Sequence, residues 1–208
     1  MDNKKKIGYY SGLGSIFSFI FFISIAYLVS LNEYNPLTKT ISKLGLTKNG
    51  SIYFIIGTTI GGILISIYIG FYLSNILTKT KYNTIGIYLG ILSGFALVGV
   101  GLIQDKPELV YRIGHTLSSG VFFISMGLAI FFFSLHLKES NSTTLKKLSY
   151  FGFFVCSIAV LHFFLSFYKE IIHIFGTEFT INAIWQKITV SAYMVWHILL
   201  LLNLNPDK

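Results

Sequence analysis

Six long apolar runs take up most of this 208-residue chain, at 7–31, 51–74, 84–103, 115–137, 148–168 and 183–202. A helix needs about 20 apolar residues to cross ~30 Å of hydrocarbon, and each run approaches or reaches that length. Backbone groups left unpaired in lipid cost several kcal/mol each, so spanning segments must be helices or closed barrels. The strict apolar–polar alternation of a membrane barrel is absent. The sequence therefore predicts an all-α polytopic membrane protein, a six-transmembrane-helix bundle forming a single domain over 1–208.

Composition agrees. Hydrophobic residues make up 53% and charged residues 12% of the chain, with a mean hydropathy of +0.69. Soluble domains carry roughly a quarter charged residues, so the supply of water-facing side chains is about halved. The net charge of +8 comes from lysines in short clusters between apolar runs. That pattern reads as membrane orientation and excludes a nucleic-acid surface. The basic start, Met1 to Lys6, precedes an apolar run longer than the ~7–15 residues of a signal peptide, so the run is expected to be a retained span.

Counting Lys and Arg sets the orientation. Lys4, Lys5, Lys6, Lys79, Lys81, Lys138, Lys146, Lys147 and Lys208 fall on the side of the termini. Lys39, Lys43, Lys48, Lys106, Arg112, Lys169 and Lys187 fall on the other. The nine-to-seven excess places both termini in the cytoplasm of a protein of the cell membrane. Membrane lipids are then the expected surroundings and partners. The lone cysteine, Cys156, lies inside an apolar run and reads as a small core residue. The sequons Asn49-Gly50-Ser51 and Asn141-Ser142-Thr143 abut a span or fall on the cytoplasmic side.

Glycines recur four apart: Gly86, Gly90 and Gly94 on the third span, Gly8 and Gly12 on the first, Gly57 and Gly61 on the second. Such spacing lets helix backbones approach closely. It fits packing within the bundle, or a homo-oligomer of copies paired through the same faces.

Two outer loops carry structure of their own. In the first, Asn35 can cap a short interfacial helix, Pro36 suits its first position and Gly45 its end. Leu37, Ile41 and Leu44 would share its apolar face, with Ser42 solvated or capping. In the second, Asp105-Lys106-Pro107-Glu108 reads as a capping box for the fourth helix.

Three polar stripes follow helical spacing. Glu108, Arg112, His115 and Ser119 share a face of the fourth helix, and Glu108 can pair with Arg112. His162, Ser166, Glu170 and His173 end the fifth, and Asn182, Gln186, Thr189, Tyr193 and His197 mark the sixth. Thr58, Thr59, Gly62 and Ser66 add a milder face on the second. Polar residues in spans face the bundle interior or water. The stripes therefore line an outward polar pocket, or they supply interhelical hydrogen bonds with no ligand. His115 and His162 with Asp105 have the side chains for acid–base work. No HxxxH or HExxH spacing is present, so neither a metal nor another cofactor is expected. His136, His173 and His197 read as interfacial or packing residues. GxSxG, Walker A and GxGxxG are absent, and no pair of interrupted spans suggests a transporter repeat.

Asn35-Pro36-Leu37 followed by Ile41-Ser42-Lys43-Leu44-Gly45 resembles the first-loop motif of a prokaryotic six-span membrane family of unknown function. A second block, Gly94 to Gly101, Asp105, His115, Ser119 and Phe122-Phe123, resembles it too, and together they cover about residues 8 to 200. The layout is similar, more distantly, to the DRAM/Sfk family tied to lipid handling. The first resemblance implies Ser42, Asp105 and His115 as the matching site positions, but no reaction. An acidic residue is common after the loop serine, and this chain has Lys43 there.

The leading expectation is thus a pocket for a lipid headgroup or small ligand, drawing on Ser42, Arg112, Ser119, Glu170 and Gln186. The alternative is an intramembrane lipid hydrolase or transferase using Asp105, His115 and His162. A small transporter is third.

Overall fold

The computed structural model describes residues 3–166, 171–174 and 177–204. Six helices long and apolar enough to span a membrane form the bundle: α1 (Asn3–Leu28), α2 (Ser51–Ile76), α3 (Lys81–Leu102), α4 (Leu109–Lys138), α5 (Thr143–Leu165) and α6 (Ile181–Asn203). The chain is a multi-pass membrane protein. Thr80 and Ser142 start α3 and α5 with side-chain caps, accepting from the N–H of Asn83 and of Leu145. His136 packs near this end, 3.1 Å from the Thr80 hydroxyl. The α1–α2, α3–α4 and α5–α6 connections lie at the opposite, distal face.

Each helix packs on its neighbours in sequence, while α1 and α6 close the ring only sparsely. The glycines explain the tight contacts. A Cβ on Gly94 would lie 2.7 Å from the Gly62 carbonyl oxygen, and one on Gly62 only 2.5 Å from that of Gly94. Gly86 and Gly90 meet Phe133 of α4 and Ile69 of α2, and Gly8 and Gly12 meet Tyr72 and Tyr68. All three glycine repeats are therefore covered within one chain. The α2 segment Tyr68–Leu73 is a π-helical turn, and its widened backbone receives the glycine face of α1. Long side chains join α6 to α4: Trp196 stacks on Phe133 at 6.2 Å and Tyr193 donates to the Phe123 carbonyl at 2.8 Å.

Three local expectations change. The short helix of the first distal loop is a 3-10 helix, Ile41–Leu46, and Asn35 makes an Asx turn by accepting from the Leu37 N–H at 2.9 Å. No α-helix runs from Pro36 because the backbone of 37–41 bonds to other parts of the chain, as described below. Gly45 lies inside the 3-10 helix, where a Cβ would stand 2.9 Å from the Phe54 ring. Second, α4 begins at Leu109 with Glu108 in the cap position, so Asp105 is not its cap. Third, a β-hairpin precedes α6, with β1 (Ile171–Ile174) antiparallel to β2 (Thr177–Thr180) and Ile172 opposite Phe179. The β-branched run Ile171-Ile172, with Ile174, was the signal for it.

Candidate functional site

The first distal loop is stitched down from two directions. Three bonds come from α6 and the hairpin before it. Gln186 Oε1 accepts from the Ile41 N–H at 2.6 Å, Lys187 Nζ donates to the Lys39 carbonyl at 2.7 Å, and the Thr180 N–H donates to the Leu37 carbonyl at 3.0 Å. These bonds occupy backbone groups that an α-helix would have needed. From the α3–α4 connection, Asp105 Oδ2 meets Lys43 Nζ at 2.6 Å, and this is the only ion pair among the described residues. The ammonium takes the carboxylate that the sequence assigned to helix capping. A charge-assisted bond of this kind is about twice as strong as a neutral one.

Tyr34 anchors the loop from beneath. Its ring is buried and its hydroxyl donates to the Lys39 carbonyl at 3.1 Å, so that one oxygen receives both Tyr34 and Lys187. Burial pushes the Tyr34 phenol above its ordinary range, with the neighbouring Tyr27 adding to the shift. Ser42 pairs with Thr40, hydroxyl to hydroxyl, at 3.1 Å.

The three residues expected to do acid–base work have separate partners. Asp105 is held by Lys43. His115 is buried and its Nδ1 lies 2.7 Å from the Ile103 carbonyl. A carbonyl can only accept, so Nδ1 carries the proton and the ring braces the α3–α4 connection. His162 packs edge-on against Phe123, ring centroids 4.6 Å apart. Among the described residues no hydrogen bond joins any two of them, and no three His, Cys, Asp or Glu gather as metal ligands.

The stripes divide in the same way. On α4, Glu108 and Arg112 are exposed without an ion pair between them, and Ser119 is half-buried. On α6, the stripe faces inward but is used up in packing: Thr189 bonds to the Trp185 carbonyl, Tyr193 to that of Phe123, and His197 Nε2 sits 3.1 Å from the Met126 sulfur. Only Gln186 reaches a loop. Glu170 lies outside the described residues.

The cavity lies elsewhere and is mainly apolar. Between α1 and α6, beneath the first distal loop, is a cleft of about 350 Å³. Phe19, Ile23 and Tyr27 line it from α1, Lys187, Val190 and Met194 from α6, and Tyr34 and Leu44 from the loop region. Phe19, Val190 and Met194 also line a smaller core cavity of about 50 Å³ that reaches Tyr193 and His197. The cleft falls within the size range of small-molecule sites.

Sequence reasoning missed Lys187 and the two tyrosines. Lys187 is the sole Lys, Arg, Asp or Glu in the sixth apolar run. An ionisable residue inside a span is itself a signal of function, which the Lys and Arg count by itself does not register.

The family model described as "Protein of unknown function (DUF998)" matches residues 15–203. No curated protein and no solved structure matches the chain.

Proposed function

Since the chain belongs to the DUF998 family, whose description carries no activity, its role has to be read from the bundle itself, and we propose that it is a ligand-binding membrane protein that takes the apolar part of a membrane lipid into the cleft between α1 and α6. The observation that carries this reading is the cleft, about 350 Å³ of mainly apolar space left open at the sparsely packed seam between α1 and α6. Gln186, with Ser42 in the loop it holds, belongs to the cover of that space rather than to a polar pocket. The hydrolase alternative would require Asp105 to leave Lys43 and His115 to leave the Ile103 carbonyl. Nothing favours such a rearrangement over the simpler binding role.

The distal face is taken as the outer face of the cell membrane, on the Lys and Arg count. A cysteine placed at exposed Asn49 should react with a membrane-impermeant thiol reagent added to intact cells, whereas one at exposed Asn141 should not. The reverse pattern would invert the orientation.

Native mass spectrometry of the detergent-extracted protein tests the binding role. Wild type should retain lipid adducts, and Ile23→Trp, which fills the cleft, should shed them. Retention of the same adducts by Ile23→Trp would sink the reading.

A further inference from the structure

We propose that the cleft selects an anionic lipid, with Lys187 meeting the acidic headgroup and the acyl chain running down between α1 and α6. This rests on the cleft being a lipid site at all, and it adds the chemical class of the lipid.

The first support is the way polarity changes along the cleft. On α1, Phe19, Ile23 and Tyr27 are four residues apart and share one face, covering about 12 Å of helix at 1.5 Å per residue. On α6, Lys187, Val190 and Met194 face them over about 10 Å. Lys187 and Tyr27 lie at the distal end, and the deep end is lined by Phe19, Ile20, Val190 and Met194, with the Ser191 hydroxyl beside them. Charge at one end and hydrocarbon below match an amphiphile standing as it stands in its leaflet. A free inorganic anion would leave the apolar length unused, and a neutral hydrocarbon would leave the cation unused.

The second is the state of Lys187. Its Nζ donates to the carbonyls of Lys39 and Ala183, at 2.7 and 3.0 Å, and sits 5.9 Å from the centre of the Tyr34 ring. An ammonium has three N–H donors, so two carbonyls leave one for a ligand. Among the described residues no carboxylate lies within ion-pair distance of it. A cation in a membrane span normally has a counter-ion or reaches water. The carbonyls hold Lys187 in place and supply no full negative charge, whereas an anionic headgroup, whose phosphate or carboxylate has no cation of its own, would.

The third is access. Ile20 is 48% exposed on the α1 side of the cleft, and Ser24 and Ser191 are exposed at its rim. With α1 and α6 so sparsely joined, a lipid can move in sideways from the surrounding leaflet without leaving the membrane.

The test titrates the full-length protein in neutral detergent with phosphatidylglycerol or phosphatidylcholine of identical acyl chains, read by native mass spectrometry. Wild type should prefer phosphatidylglycerol by about tenfold, the scale of one charge-assisted hydrogen bond. Lys187→Gln should bind both lipids with the weaker affinity, and Lys187→Arg should keep the preference. Equal binding of the two lipids by wild type overturns the proposed charge selection while leaving the lipid site standing. Binding of neither overturns both. A preference that survives Lys187→Gln assigns the headgroup to other residues and overturns the role of Lys187. The wild-type comparison decides on charge selection even if a variant fails to fold.

Discussion

The seam between α2 and α3 and the seam between α1 and α6 are built from opposite materials. At the first, Gly62 and Gly94 bring two backbones so close that neither position has room for a Cβ. At the second, Phe19 and Ile23 face Val190 and Met194 across open space. Helices in lipid gain little by hiding apolar side chains from one another, so close association depends on small residues. Helix α1 shows both arrangements. Gly8 meets Tyr72 of α2, and Gly12 meets both Tyr68 of α2 and Leu201 of α6, so the seam with α6 opens only farther along α1, where Phe19 and Ile23 take over. The bundle is thereby shut along one side and left accessible along the other.

The largest expected effect lies at the shut seam. Gly94→Val should cost about 3 kcal/mol, the upper end of the overpacking range, because its new Cβ would meet the Gly62 carbonyl and the Ile65 side chain, neither free to move away. Ile23→Val at the open seam removes one methylene beside existing space and should cost under about 1 kcal/mol. Thermal unfolding of both variants in the same detergent compares them directly. Equal losses would mean that the α1–α6 seam is as tightly packed as the other, and the contrast would fail.

How much of this could be read in advance depends on the range of the forces involved. The six spans could be, because length and hydropathy are local properties and the membrane imposes the same demand on every segment. The glycine spacings could be read as packing faces, but whether they served one chain or two depended on their partners. Asp105 was misread for a similar reason. A capping box is a local pattern, and Lys43, 62 positions earlier, takes the carboxylate instead. The open seam was not legible at all. It is a place where packing stops, and its lining comes from α1, the first distal loop and α6, which are far apart in sequence and carry no shared motif.

A smaller effect is expected at the cover of the open seam. Gln186→Leu removes the acceptor of the Ile41 N–H and should cost about 1–2 kcal/mol, the usual penalty for a partly buried donor left unpaired. The loss should be local. Hydrogen exchange should quicken in residues 38–46 and stay unchanged across α2 and α3. If exchange rises equally in both regions, the loop is not a separate cover and the two seams unfold as one unit.

The smallest effect concerns the ion pair that ties the loop to the α3–α4 connection, between Lys43 and Asp105. At 2.6 Å the geometry is close, yet the Lys43 side chain is 43% exposed and water competes for both charges. Exposed pairs of this kind are worth at most about 1 kcal/mol and are screened by salt. A double-mutant cycle with Lys43→Met, Asp105→Asn and the two combined should therefore give a coupling below about 1 kcal/mol that shrinks further at high salt. The hydrogen bonds that hold the loop would then come chiefly from α6 and the hairpin before it, through Gln186, Lys187 and Thr180. A coupling above about 2 kcal/mol would reverse that assignment. The α3–α4 connection would then be the loop's principal anchor.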